Sequence, residues 1–338
     1  MVAGILLVAA CAGGTSRDSL AVSVVFSSTG GTVTKAGLFT AGPPTGSFQV
    51  VAAAGSVVGT ASVSVTSRPA AVGAGVPLGM FNVPPSRLAA PIDLVIFAGE
   101  PARLGAQLAT ARRNRTRVIV NFAGGKYSNN FGPDGSFSYE VWKSRTDRFK
   151  GLDLAPYIAD ETLMANYLID EPHNPDSWGG RAVPYATLER MAEYSKSLWP
   201  NLRTITRTRV TWLADAPFRW VYLDAGWAQY GVIRGDIYRF RDLEVAASKA
   251  SGLAVLFGLN TTNGGAVVDG CYPGSRPGMC AMTASEIKRF GTVLASEPAG
   301  CGLTLWQYDE VYLGRSDIRS ALAEVARLTK SRAPQPCT

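Results

Sequence analysis

The stretch LMANYLIDEPHNP, residues 163–175, decides how this chain is read. Residues 163–169 are apolar at both odd and even positions, interrupted only by Asn166 and the Tyr167 hydroxyl. A strand wetted on one face alternates apolar with polar, so a run without alternation belongs to a strand covered on both faces, as in a parallel sheet under helices. Two carboxylates, Asp170 and Glu171, close the run. Pro172 then stiffens the exit, and His173 is the only histidine of the 338 residues.

Seven further runs have the same character: 78–83, 92–98, 117–123, 203–208, 219–224, 252–260 and 301–308. Helical stripes lie between them. Leu188, Met191, Ala192, Ser195, Leu198 and Trp199 share one face, as do Ile318, Ala321, Leu322, Val325 and Leu328. Thr283 with Glu286 forms a capping box, and Asp317 favours the start of the last helix. Eight strand-helix units over roughly 260 residues are the arithmetic of an α/β protein of the (β/α)8 TIM barrel class, placed here at 78–338. An open doubly wound sheet is the alternative, but no G-x-G-x-x-G follows the first strand. Only PPSRLAAP separates the first two strands, so the first helix is nearly absent.

The preceding residues differ in texture. Residues 1–18 hold an apolar run of about eleven residues, too short to span a bilayer and suited to an export signal. Val8-Ala9-Ala10-Cys11 resembles a bacterial lipobox, which implies export and lipidation at Cys11, although no Lys or Arg precedes the run. Residues 19–66 read as short Val/Ser/Thr strands with Gly/Pro turns, a small all-β module. Their text, including GG, GLFTAGPPTG and TASVSVTS, resembles the C-terminal half of bacterial Ig-like modules, so the module is expected to be a partial Ig-like one. Residues 67–77, SRPAAVGAGVP, are the expected linker.

A net charge of +7 favours anionic partners such as acidic polysaccharide. The basic residues are scattered apart from ARRNRTR (111–117), and no basic-aromatic repeat appears, so nucleic acid is not an expected partner. Membrane association is expected only through a lipid on Cys11. Beside Cys11 stand Cys271, Cys280, Cys301 and Cys337, an even set that permits three pairings. A Cys271–Cys280 bridge closing CYPGSRPGMC and a Cys301–Cys337 bridge tying down the chain's end are favoured. The spacings and the lone histidine do not suit zinc, and no metal or other cofactor is implied.

In a barrel the strand C-termini carry the site. Read in order they supply Asn82, Asn121, Asp170, Glu171, Arg207, Asp224 with Trp227 and Gln229, Asn260, Trp306 and Asp309. Carboxylates and amides hydrogen-bond hydroxyls and aromatic faces pack on sugar rings, so the mixture points to carbohydrate. A catalytic triad is disfavoured, since His173 has no G-x-S-x-G partner. Arg207 reads equally as a recogniser of an acidic sugar or as the ion partner of Asp170. Trp227 and Trp306 read equally as sugar platforms or core.

With Asp170-Glu171-Pro172 at the fourth strand end, the barrel portion resembles the retaining barrel glycosidases that carry N-E-P or D-E-P there. The resemblance implies that Glu171 is the general acid/base and Asp170 a binder of a sugar hydroxyl, in hydrolysis of an O-glycosidic bond by two carboxylates. The chain departs from that pattern at the seventh strand, LFGLNTTNGG, where Asn260 stands in place of the nucleophilic Glu. Asp224 is then the first candidate for the second catalytic carboxylate and Asp309 the next. A non-catalytic carbohydrate-binding or cell-surface scaffold barrel is the competing expectation.

Overall fold

The computed structural model describes residues 2–3, 24–34, 39–40, 46–65, 75–84, 87, 91–266 and 270–337. The chain divides into two compact units, residues 1–69 and 70–338. Cys11, almost all of the expected signal segment and most of the expected linker lie outside the described residues.

In the first unit, strands Val25–Ser28, Gly46–Ala54 and Val57–Val65 form an antiparallel sheet. Gly55, at φ +61°, takes the left-handed turn of the long hairpin, a conformation glycine adopts without a Cβ clash. Val2–Ala3, Thr32–Val33 and Phe39–Thr40 make a second small antiparallel sheet. Phe39 of the second sheet and Val50 and Val63 of the first form the unit's buried apolar cluster.

The second unit is an α/β barrel. Among the described residues eight parallel strands close on themselves: β1 (Leu78–Phe81), β2 (Leu94–Ala98), β3 (Arg117–Asn121), β4 (Leu163–Asp170), β5 (Arg203–Arg207), β6 (Ala225–Tyr230), β7 (Ala254–Leu259) and β8 (Gly300–Leu305). The lack of alternation has its physical counterpart in two cores. Inside the barrel pack Phe81, Ile96, Ile119, Tyr167, Trp227 and Leu256. Outside it, Val118, Val120 and Leu168 meet the helices, whose stripes Leu188-Met191-Ala192 and Ile318-Ala321-Leu322-Val325 are buried as the spacing predicts. Thr283 and Glu286 form the expected capping box. No α-helix occurs between β1 and β2 among the described residues.

The two expected disulfides are present. Cys271–Cys280 closes a hairpin after β7, and Cys301–Cys337 draws the chain's end back to β8, where both sulfurs are buried within the barrel's inner cluster.

One strand is displaced from its expected place. Residues 219–224, RWVYLD, have the apolar and aromatic composition of a strand, yet β6 is the next segment, AGWAQY. The 219–224 segment is instead a loop, whose Val221, Tyr222 and Leu223 amides all donate to the Glu189 carboxylate at 2.6–3.1 Å. Close packing selects the small residues of β6. A Cβ at Gly226 would come within 2.8 Å of Leu213 and Val210, so helix Val210–Ala214 packs this closely only because position 226 is glycine. Tertiary contact here overrides the weak strand preference of Ala and Gly.

Candidate active site

Asp170 ends β4 and Glu171 follows with its backbone in the left-handed region, φ +41°, its amide donating to the Arg207 carbonyl at 2.9 Å. Consecutive strand residues normally point to opposite faces. The strained turn at Glu171 breaks that rule, and strain at a non-glycine residue is a mark of functional positions. Both carboxylates consequently reach the same group: the Tyr127 hydroxyl lies 3.0 Å from Asp170 Oδ2 and 3.1 Å from Glu171 Oε2. Those two oxygens are therefore within about 6 Å of each other, since each sits one hydrogen-bond length from a shared atom. Burial, and then the two carboxylates, push the Tyr127 pKa well above the ordinary phenol value, so it stays a neutral donor.

The loop HNPDSWGG holds this turn in place. Trp178 is buried, and its indole N–H donates to the Asp170 and Glu171 carbonyls at 3.0 and 3.1 Å. Its ring meets Tyr127 edge-on at 5.0 Å. His173 shares a 2.8 Å hydrogen bond with Thr208, and burial lowers its pKa.

Arg207, at the end of β5, ties the cluster together. Its Nε bonds Asp170 and its Nη1 bonds the Gln229 side-chain oxygen, while its Nη2 lies 3.4 Å from Glu171 Oε1. Burial opposes the guanidinium charge, but Asp170 with Tyr167 and Glu171 outweighs it and drives the pKa further up. Of the two expected roles of Arg207, the ion partner of Asp170 is thus realised. The guanidinium also lies 5.0 Å from the Trp306 ring, within cation–π range.

These groups open on a cavity of about 370 Å³ whose lining includes Glu171, Arg207, Gln229, Arg234, Asn260 and Trp306. Among the described residues Glu171 is the one carboxylate in that lining. Gln229 Nε2 and Asn260 Oδ1 are buried there without a protein partner. Such groups are costly unless something bonds them, and a sugar hydroxyl both accepts and donates.

Other expected site residues lie elsewhere. Asp224 immediately precedes β6, so it stands at the N-terminal end of the barrel, about 16 Å along the strand from the level of Gln229. There it pairs with Lys196 at 2.6 Å and accepts from the Thr204 amide at 2.7 Å. As catalytic partner of Glu171 it is ruled out by position, a direct result of the displaced sixth strand. Trp227 is wholly buried between Phe81 and Tyr167, so it is core and not a sugar platform. Asn121 is buried and accepts from the Gly124 amide at 2.9 Å, shaping the loop after β3. Asn82 is exposed after β1 with φ +58°, away from the cavity lining. Asp309 caps helix Glu310–Gly314 through the Tyr312 amide, at 2.9 Å.

Sequence reasoning missed Tyr127, Arg209, Arg234 and Arg276. Each sits on a loop beyond a strand, where no periodicity assigns a direction to a side chain.

The chain's class, an eight-stranded parallel α/β barrel, is shared with solved glycoside hydrolases. A β-glucanase from Saccharophagus degradans superposes with a TM-score of 0.54 at 11% identity, over 76% of this chain and 89% of that one. A GH113 β-1,4-mannanase superposes with a TM-score of 0.51 at 14% identity, over 77% of this chain and all of that one. At such identities the likeness is one of fold. No family model and no curated protein matches the sequence.

Proposed function

We propose that the C-terminal mouth of the barrel engages an extracellular poly- or oligosaccharide and that Glu171 hydrolyses an O-glycosidic bond there as general acid/base. The carrying observation is Glu171 itself: a strained carboxylate on a sugar-sized cavity, oriented by Tyr127 and Arg207, with Gln229 Nε2 and Asn260 Oδ1 in the same lining lacking protein partners. In the reaction Glu171 gives its proton to the glycosidic oxygen as the C–O bond breaks; water then supplies the oxygen that bonds the anomeric carbon and returns a proton to the Glu171 carboxylate. Asp170, fixed by Arg207, binds a hydroxyl of the cleaved sugar, with Asn260 and Gln229 binding others and half-buried Trp306 offering a ring face. Asp170, adjacent to Glu171 in the chain, shares the Tyr127 hydroxyl with it.

A non-catalytic carbohydrate-binding barrel is the second reading. It is favoured by one observation, that no carboxylate faces Glu171 across the cavity among the described residues. The two readings separate by experiment: sugar release lost in Glu171→Gln supports hydrolysis, whereas glycan retention with no release by the native chain supports binding.

Export is part of the proposal, because both disulfides belong to an oxidising compartment. The first unit then serves as a partial Ig-like spacer, and a lipid on Cys11 would anchor it.

A further inference from the structure

The charge around the cavity is lopsided. Arg207 is satisfied by Asp170, Glu171 and Gln229, but three more arginines face the same space. Arg234, on the loop after β6, and Arg276, inside the Cys271–Cys280 ring, line the cavity with Glu171. Arg209, at the start of helix Val210–Ala214, shares with Arg234, His173 and Glu171 a smaller adjoining recess of about 30 Å³. None of these three has an ion-pair partner among the described residues, and the Arg209 Nε is buried without a hydrogen bond. Arg209 and Arg234 also repel: burial first, then Arg209, lowers the Arg234 pKa, with Glu171 and Glu244 opposing less strongly.

Their scaffolds are fixed. The Arg234 loop is held by Val232 N to the Gly264 carbonyl at 2.9 Å and by the Tyr230 hydroxyl to the Gly235 carbonyl at 2.6 Å. The Arg276 amide donates to Asn263 Oδ1 at 3.0 Å, and Asn263 in turn bonds Ser275 at 2.7 Å. Four guanidinium groups around one opening, against the carboxylates of Glu171, Asp170 and the more remote Glu244, leave an excess of positive charge that favours a bound anion over a neutral hydroxyl.

We propose that the glycan taken by this cavity is acidic, a uronate-bearing chain whose carboxylates are bound by Arg209, Arg234 and Arg276. This rests on the glycan reading above and narrows it to a substrate class. A carboxylate in the recess meets Arg209 and Arg234 from one wall while Arg276 closes on the neighbouring residue of the chain, and Gln229 and Asn260 are left for uncharged hydroxyls.

The test is calorimetric binding of the full chain to polygalacturonate, dextran sulfate, a neutral β-glucan and a neutral mannan, at low and at physiological salt. Polygalacturonate is expected to bind at least about tenfold more tightly than either neutral glycan, with Arg234→Gln and Arg276→Gln each weakening it about tenfold. Arg103→Gln and Arg327→Gln remove equal charge from exposed helix positions and are expected to change nothing. Three results overturn the inference: neutral glycans bound as tightly as polygalacturonate, dextran sulfate bound equally well and equally sensitive to Arg234→Gln, or the distant variants weakening binding as much as the cavity ones. Neutral glycans bound in a Trp306-dependent way, with no preference for the acid, would sink the acidic class and leave the glycan site standing. No glycan bound at all would sink both.

Discussion

At the scale of single residues, Glu171 is singled out by its backbone as much as by its carboxyl. The left-handed turn brings it beside Asp170, and Arg207 then carries both neighbours. Removing that guanidinium in Arg207→Met leaves Asp170 with a lone charge in a largely buried site, which should cost about 3–5 kcal/mol in a urea titration. His173 supplies a pH signature. Burial is the largest influence and lowers its pKa, with Glu171 opposing less strongly, so the folded value lies below the unfolded value of about 6.5. A depressed folded pKa means the unfolded chain takes up the proton more readily. The stability tied to neutral His173 is therefore complete above about pH 6.5 and drains away as pH falls below it. Melting temperature should drop between pH 7.5 and 5.5, and His173→Asn should shrink that drop; an unchanged drop would remove His173 as its source.

At the scale of elements, β3 and β4 were legible because burial on both faces leaves a continuous apolar run that no surface strand shows. The helix stripes and the Thr283–Glu286 box were legible for a similar reason, since each is a local pattern with a local cause. The sixth strand was not. RWVYLD has the composition of a strand and AGWAQY does not, and the close approach of Val210 and Leu213 to Gly226 is a tertiary contact that no local pattern announces. That displacement moved Asp224 from one end of the barrel to the other. Asp224→Asn should therefore lower stability, through the lost Lys196 and Thr204 contacts, without altering glycan binding or sugar release; a selective loss of activity would reverse the assignment. The Cys301–Cys337 bridge spans 36 residues and ties the chain's end into the inner core. Replacing both by Ser should cost about 4 kcal/mol of unfolding free energy by loop entropy, measured against the oxidised native chain.

At the scale of the molecule, two units of different make share one chain, and the barrel's cores are formed within residues 70–338 alone. A chain beginning at residue 70 should melt at the same temperature as the barrel transition of the whole; a large fall would mean the first unit supports the barrel. The barrel's mouth gathers Glu171, Arg207, Gln229, Asn260 and Trp306 from the ends of five different strands, a convergence invisible until the strands are in register. Under the function proposed above, Glu171 works there as acid/base. Its most direct test is reducing-sugar release from a panel of acidic and neutral polysaccharides by the native chain and by Glu171→Gln, with matched melting temperatures as proof of fold. Release by the native chain is expected, falling by about 10²–10⁴ in the variant. Equal release by both, or none by the native chain on any acidic or neutral substrate, would contradict it.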